Sequence, residues 1–554
     1  MIRYLTILLA VCSLAACATT SSPVVITVIG TNDVHGALLS KDGAGGLNAL
    51  SGYVNAVREA RSDDGGAVLL IDAGDMWQGT LESNLSEGAS LVEAYNALGY
   101  TAAAVGNHEF DFGPVGPSPI PKSAEEDPRG ALKQRAIEAE FPFLAANLID
   151  QSTGKAVDWP NIQPSVLIDV EGIKVGIIGV MTKNALSNAI AANTTGLSVA
   201  PLAETIETEA RALRESGATV IIVSAHAGGG CKEFEDPLDT SSCYQESEIF
   251  TVANSLPTGL VDHIFAGHTH AGIAHIVNDI SISEAYNSVR SFSRVDLLVD
   301  SKTGLRIQRQ VYPPTPVTDV SNYEGRPVTP DASLMAIAAR AAALADGIKH
   351  EEIGIYLETP FERTTSPESP LGNLYTDALL ASADADISMH RTNTSVRADL
   401  PAGELKFGSV YEMDPFDNQI AVIELSGAEL RQVISEQAHQ GRFRVNFSGM
   451  NVQVTCTNRN MAIEMQLMNG HEIEDQQLVS IAVVNYLALG GDRVFSSVMP
   501  AGGYDLQLDG PLSRDLMIAW LQQRGGSINA RDFSTDNNPK WSVPDSLDKE
   551  CRLN

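Results

Sequence analysis

Val24-Val25-Ile26-Thr27-Val28-Ile29, followed at once by Gly30-Thr31-Asn32-Asp33-Val34-His35-Gly36, decides how this chain is read. A short apolar, β-branched run bounded by glycine predicts a strand. A glycine ends the run, and Asp33 and His35 follow just past its C-terminal end. The arrangement recurs. Ala67–Ile71 runs into Asp72-Ala73-Gly74-Asp75, and Ala102–Val105 into Gly106-Asn107-His108-Glu109-Phe110-Asp111. Thr219–Ser224 runs into Ala225-His226-Ala227-Gly228, and His263–Ala266 into Gly267-His268-Thr269-His270. A further strand is read at Lys174–Val180, with amphipathic helices at Gly46–Arg61 and Ala203–Ser216. This is an α/β layered pattern, and the C-terminal ends of its strands are where such sheets build their sites.

The chain has 554 residues. Single cores stop growing at roughly 250–300 residues, so two domains are expected. Gly113 to Asp127 is Pro-rich and polar, and reads as a surface insertion. Tyr312 to Pro330, again Pro-rich, reads as the end of a first domain covering residues 24–320. Leu334, Ile337, Ala338, Ala341 and Leu344 recur at helical spacing, with Asp331 or Ser333 as N-cap. They predict a linker helix over 330–347, followed by a smaller α/β (α+β) domain over 350–545.

Arg3, the apolar run Leu5 to Leu14 and Leu14-Ala15-Ala16-Cys17 read as an export signal over 1–16, too short to span a bilayer. Leu-Ala-Ala-Cys resembles a bacterial lipoprotein cleavage box. In that reading Cys17 carries a lipid, 17–23 is a tether, and the protein sits in the periplasm or cell envelope. Ala18 is not the Asp associated with inner-membrane retention, which favours the outer membrane. Cys231, Cys243, Cys456 and Cys551 remain for an oxidising compartment. Of their three possible pairings, Cys231–Cys243 and Cys456–Cys551 are expected.

Lys and Arg number 37 against 69 Asp and Glu, a net charge of −32. Such a surface repels a nucleic-acid polymer but not a small phosphorylated substrate beside bound cations. The strand-end residues supply those cations' ligands: Asp33, His35, Asp75, Asn107, His226, His268 and His270. Imidazoles, carboxylates and an amide oxygen suit two divalent ions among Zn, Mn, Co and Fe. Two such ions about 3.5–4 Å apart clamp a phosphoryl group and provide a hydroxide nucleophile. Asp75, alone on its loop, is the candidate bridge. His263 and His275 lie off the pattern and read as structural. Glu109 reads equally as a support for the ligands or as a simple loop acid, and His390 as a core residue or one facing the cleft.

In order and spacing these motifs resemble the calcineurin-like metallophosphoesterase superfamily, and within it the secreted 5'-nucleotidase / UDP-sugar hydrolase family. The resemblance implies a four-layer metallophosphoesterase sandwich joined by the linker helix to a substrate-binding domain. It implies one metal on Asp33, His35, Asp75 and His270, and another on Asp75, Asn107, His226 and His268. His108, oriented by Asp111, would stabilise the transferring phosphoryl group and leaving oxygen. Phe416 and Tyr486 would sandwich a nucleobase, Asp492 would hold a ribose hydroxyl, and Arg397 would contact phosphate. The family's Gly-rich turn is here Thr392-Asn393-Thr394-Ser395-Val396-Arg397, without glycine. A further family Arg corresponds to Thr365, with Arg363 two residues away and Arg391 a possible replacement charge. The resemblance therefore implies a 5'-nucleotidase, with a 2',3'-cyclic nucleotide phosphodiesterase/3'-nucleotidase, a UDP-sugar hydrolase or a non-nucleotide phosphatase as alternatives. A surface-anchored binding protein with a vestigial site is a third class, disfavoured because no ligand is missing. A monomer is the working expectation for the assembly.

Overall fold

Two β-sheets lie face to face in the first half of the chain. The computed structural model describes residues 23–542 apart from 42, 365–368, 440–444, 458–459, 502, 507–509 and 535–539. The expected signal segment, the Cys17 anchor, Thr365, Cys551 and the side chain of Cys456 lie outside the described residues, so the Cys456–Cys551 pairing does too.

The first sheet pairs Val24–Thr31 with Ala67–Asp72 in parallel, and Ala102–Ala104 and Phe143–Leu144 continue it. On the other side Ser291–Val299 and then Arg306–Pro316 close it antiparallel. The second sheet has Ile173–Met181, Val220–His226 and His263–Ala266 in parallel at its centre. Ile26, Val28, Leu69 and Ile71 from one sheet meet Val175, Ile177, Val220 and Ile222 from the other in a single apolar layer. Each such side chain contributes about 2 kcal/mol on burial. Helices Leu47–Asp64 and Ala89–Leu98 cover the outer face of the first sheet, and Leu202–Glu215 and Glu248–Ser255 that of the second. The result is helix, sheet, sheet, helix.

The Pro-rich stretch from Tyr312 begins inside a strand of the first sheet. Its first part belongs to the edge strand Arg306–Pro316. An edge strand has N–H groups that need no ladder partner, so it tolerates Pro313, Pro314 and Pro316.

The linker helix runs over Ala332–Lys349, capped by Asp331, whose side chain accepts from the N–H groups of Ser333 and Leu334. Leu334, Ile337, Ala338 and Ala341 bury themselves in the core of the first half, and Ala345 packs against Leu81 and Tyr411. Beyond it, Ile420–Ser426, Leu478–Val484, Ile387–His390 and Asn446–Ser448 form a four-stranded sheet under helix Pro370–Ala381. The Cys231–Cys243 disulfide forms as expected.

Candidate metal centre and substrate cleft

The parallel strands end side by side, and the loops leaving them are laced together by their backbones. Asp33 N–H donates to the Gly74 carbonyl and His35 N–H to that of Asp75, both at 3.0 Å. His268 N–H donates to Asp33 Oδ2 and His108 N–H to Asp75 Oδ1, both at 2.9 Å. Asp33, His35, Asp75, His268 and His270 all adopt left-handed backbone, with φ between 48° and 75°. Non-glycine residues take this conformation rarely, and clustered cases mark functional sites. Gly106 has no side chain because a Cβ there would stand 2.2 Å from Asp75 Oδ1.

The donors converge as two groups, Asp33 with His35 and His270, and Asp75 with His226 and His268. His35 Nδ1 donates to the Gln78 carbonyl at 2.9 Å, and His226 Nδ1 donates to that of Ala73 at 2.9 Å. A carbonyl can only accept, so in its neutral form each ring presents a bare Nε2 lone pair to the site. His35 Nε2 then lies 3.0 Å from His270 Nε2. His226 Nε2 lies 3.0 Å from Asn107 Oδ1 and 3.1 Å from Asp75 Oδ2. The buried Asp33 Oδ1 lies 3.3 Å from His270 Nε2. The His226 lone pair thus faces two oxygen acceptors, which repel it, and a cation among them removes the repulsion. The residues therefore fit two divalent ions, with Asp75 and Asn107 beside the second group.

Glu109 is no idle loop acid. It accepts from the N–H groups of Asp75 at 3.0 Å, Met76 at 2.7 Å and Gly106 at 2.6 Å, fixing the Asp75 loop to the Asn107 loop. Asn32 was not singled out in the sequence, yet it clamps Asp33 Oδ2 at 2.8 Å and the Tyr286 carbonyl at 2.6 Å. Glu284, equally unforeseen and fully buried, accepts from Thr269 Oγ1 at 2.6 Å, between His268 and His270. Adjacency to Asp33 was the one available signal for Asn32, and nothing local marked Glu284.

His108 stands apart from both donor groups. Its Nδ1 lies 2.5 Å from Asp111 Oδ2, and its Nε2 4.0 Å from Asp75 Oδ2. Burial opposes its charge, but Asp111 and Asp75 raise its pKa above the ordinary histidine value. His263 bonds the hydroxyls of Ser281 and Ser283 in the core, and His275 is likewise buried.

A cavity of about 360 Å³ lies over this centre, lined by Asp75, Asn107 and His108 below and by Arg397, Phe416 and Tyr486 above. The Phe416 ring lies nearly parallel to His108, centroids 5.9 Å apart, and the Arg397 guanidinium lies 5.2 Å from the Phe416 centroid. Gln78 Nε2 donates to the Pro415 carbonyl at 3.0 Å and Asn84 Nδ2 to Tyr411 Oη at 2.8 Å, holding the second domain over the first. Asp492 lines the cavity but is bridged by Arg391 at 3.1 Å, so Arg391 serves that carboxylate. The glycine-free stretch Thr392–Ser395 folds as one helical turn, with Val396 N–H donating to the Thr392 carbonyl at 3.0 Å. His390 is a core residue: it is buried and stacks on Tyr375 at 4.4 Å.

Residues 26–272 match the calcineurin-like phosphoesterase family, and residues 349–499 match the 5'-nucleotidase C-terminal domain. The chain belongs to the two-domain 5'-nucleotidase family. A cell wall protein of Listeria monocytogenes is 26% identical over 512 residues, 84% of this chain. This chain spans 63% of the length of that relative. A 5'-nucleotidase of Vibrio cholerae is 23% identical, with 87% of this chain and 89% of that protein covered. The crystal structure of a 5'-nucleotidase precursor from Thermus thermophilus shares the fold of this 5'-nucleotidase-family chain. Its TM-score is 0.72 at 21% identity, covering 94% of this chain and 99% of that one.

Proposed function

We propose that this chain is a two-metal phosphoester hydrolase, and that it releases phosphate from nucleoside 5'-monophosphates outside the cytoplasm. The observation that carries the reading is the pair of acceptor clusters. Asp33, His35, Asp75 and His270 would hold one cation, and Asp75, Asn107, His226 and His268 the other. Such cations supply charge neutralisation at the phosphoryl oxygens and acidify water. Zn, Mn, Co and Fe all suit the donors.

The chain's own side chains do the rest. His108, kept protonated by Asp111, donates toward the phosphoryl and leaving oxygens. Arg397 neutralises the phosphate from above, and Phe416 and Tyr486 stack the base. The family match over 349–499 and the name of the Vibrio relative support a nucleotide.

Phosphate release from AMP, UDP-glucose, 2',3'-cyclic AMP and an aryl phosphate, each with added Mn or Co, tests the assignment. AMP is expected to be the best substrate. The helical turn at Thr392–Ser395, where the family turn is glycine-rich, favours one second reading, a cyclic-nucleotide or UDP-sugar preference. A higher kcat/KM for one of those substrates would establish it. Equal rates with and without a base would remove nucleotide recognition altogether.

Export with a lipid on Cys17 belongs to the same proposal. The Cys231–Cys243 disulfide supports an oxidising compartment. Among the described residues no helix is long and apolar enough to cross a membrane.

A further inference from the structure

The segment that leaves His226 and the strand that leaves His270 are joined backbone to backbone. Cys231 N–H donates to the Gly272 carbonyl at 2.9 Å, and Ile276 N–H to that of Pro237 at 2.7 Å. Cys231 and Cys243 close the loop between them as a disulfide. Beside that disulfide stands His275, on the strand Gly272–Val277. The two sulfurs and a ring nitrogen of His275 all lie within 4.8 Å of one another.

His275 is fully buried, and its surroundings make little use of its ring. Among the described residues Nε2 has no partner in hydrogen-bonding geometry, and Nδ1 has only a long contact, 3.3 Å, with the N–H of Ala274. Burial outweighs the Asp239 backbone and the charges of Asp239 and Asp236, and keeps the pKa below the ordinary histidine value. The ring is therefore neutral near pH 7 and has a lone pair to give. The two carboxylates meanwhile favour a cation beside it. A buried polar atom with nothing to bond is uncommon, and packing alone gives no reason for it.

The two cysteines do not depend on the S–S bond alone for their positions. Cys231 is held through Gly272. Tyr244, next to Cys243, donates its N–H to the carbonyl of Gly230, next to Cys231, at 2.9 Å. Breaking the S–S bond thus leaves two sulfurs and one imidazole already gathered. Cys243 is buried and Cys231 only partly so, which leaves one side to solvent.

We infer that Cys231, Cys243 and His275 form a separate metal site, which takes one zinc-like divalent ion when the disulfide is reduced. A dithiol supplies two electrons and two protons, which convert the disulfide to two thiols while the dithiol itself becomes a disulfide. The ion then displaces both thiol protons, forming two metal–sulfur bonds and one metal–nitrogen bond. Two thiolates with an imidazole select Zn over hard cations, and solvent fills the fourth position. The ion takes over from the disulfide as the staple between the segment after His226 and the strand after His270. The site is independent of the hydrolase reading above.

Co²⁺ titrated under argon into the full chain, reduced with a dithiol and then freed of it, tests the site. Cobalt bound to thiolate shows an intense charge-transfer band in the near ultraviolet. The imidazole, carboxylate and amide donors at the strand ends contain no sulfur and cannot give it. The band is expected in the reduced parent, to be displaced by Zn²⁺, and to be absent from the oxidised protein. It is expected to be lost in Cys231→Ser and in Cys243→Ser. His275→Ala is expected to lower the Co²⁺ affinity read from the band by at least the roughly 10–100-fold that losing a support of a metal ligand costs. His275→Gln, closer in size, serves if the Ala variant does not fold, and parental thermal unfolding of the oxidised variant shows that the fold is kept. Three results would each overturn the proposal: no band in the reduced parent, a band that survives in both Cys variants and so belongs to other thiols, or an affinity indifferent to His275.

Discussion

His108 Nδ1 and Asp111 Oδ2 stand 2.5 Å apart, while the other ring nitrogen faces Asp75 at 4.0 Å. The imidazole is thus oriented by one carboxylate and aimed at the centre that another helps to build. Neither His108 nor Asp111 belongs to the two donor groups, which allows catalysis and metal retention to be separated.

Replacing His108 by Ala is expected to lower kcat for AMP by 10²–10⁴-fold, the usual range for a lost general acid. Bound metal, measured by plasma mass spectrometry, stays at the parental amount. Asp111→Asn is expected to lower kcat less, with KM little changed. A His108→Ala enzyme of near-parental turnover removes His108 from the reaction.

Gly106→Ala tests how tightly the centre is built. The added methyl carbon collides with Asp75 Oδ1 at 2.2 Å, so Asp75 must turn away. Metal affinity is expected to fall by about 10–100-fold, the range seen when groups supporting metal ligands are lost. Unchanged affinity in a chelator competition would show that Asp75 is not needed where it stands.

Phe416 and Tyr486 separate base recognition from chemistry. A stacked base is worth about 1–3 kcal/mol per ring, or roughly 5–150-fold in affinity. Phe416→Ala and Tyr486→Ala should raise KM for AMP accordingly and leave an aryl phosphate nearly unaffected. Equal effects on both substrates would make the rings packing residues only.

His390 gives a pH dependence of stability. Burial lowers its pKa from 6.5 to about 3. As pH falls below 6.5 the unfolded chain takes up a proton that the folded chain refuses. The stability this preserves is complete above that pH and is lost progressively toward pH 3. Between pH 6.5 and 5 the loss amounts to about 2 kcal/mol. His390→Phe lacks this term, so thermal unfolding of that variant should fall less from pH 7 to pH 5. Parallel shifts in the two proteins would argue against a buried neutral His390.

The candidate metal donors could be picked out in the sequence because each rests on a short-range pattern, an apolar run broken by glycine and polar residues. That pattern placed Asp75 and His226 without knowledge of which strands are neighbours. What brings Asn32 and Glu284 to the centre is long-range pairing. Asn32 reaches Tyr286 only because Val24–Thr31 and Ser291–Val299 are adjacent strands. The edge strand that holds Pro313, Pro314 and Pro316 was not read from the sequence for a related reason, since proline argues against a strand unless it is known to lie at an edge. His390, ambiguous in sequence, was decided by the Tyr375 ring beneath it. The glycine-free turn at Thr392–Ser395 was visible as a departure, but its outcome, a helical turn, required the surrounding packing.

On this reading hydrolysis depends on cations held between the two acceptor clusters. Phosphate release from AMP by the full chain, measured after chelator dialysis and again during titration with Mn²⁺ or Co²⁺, tests it most directly. Activity should vanish on dialysis and return with saturation near two ions per chain. Full activity in the dialysed protein, or none with any of Zn, Mn, Co and Fe, would contradict it.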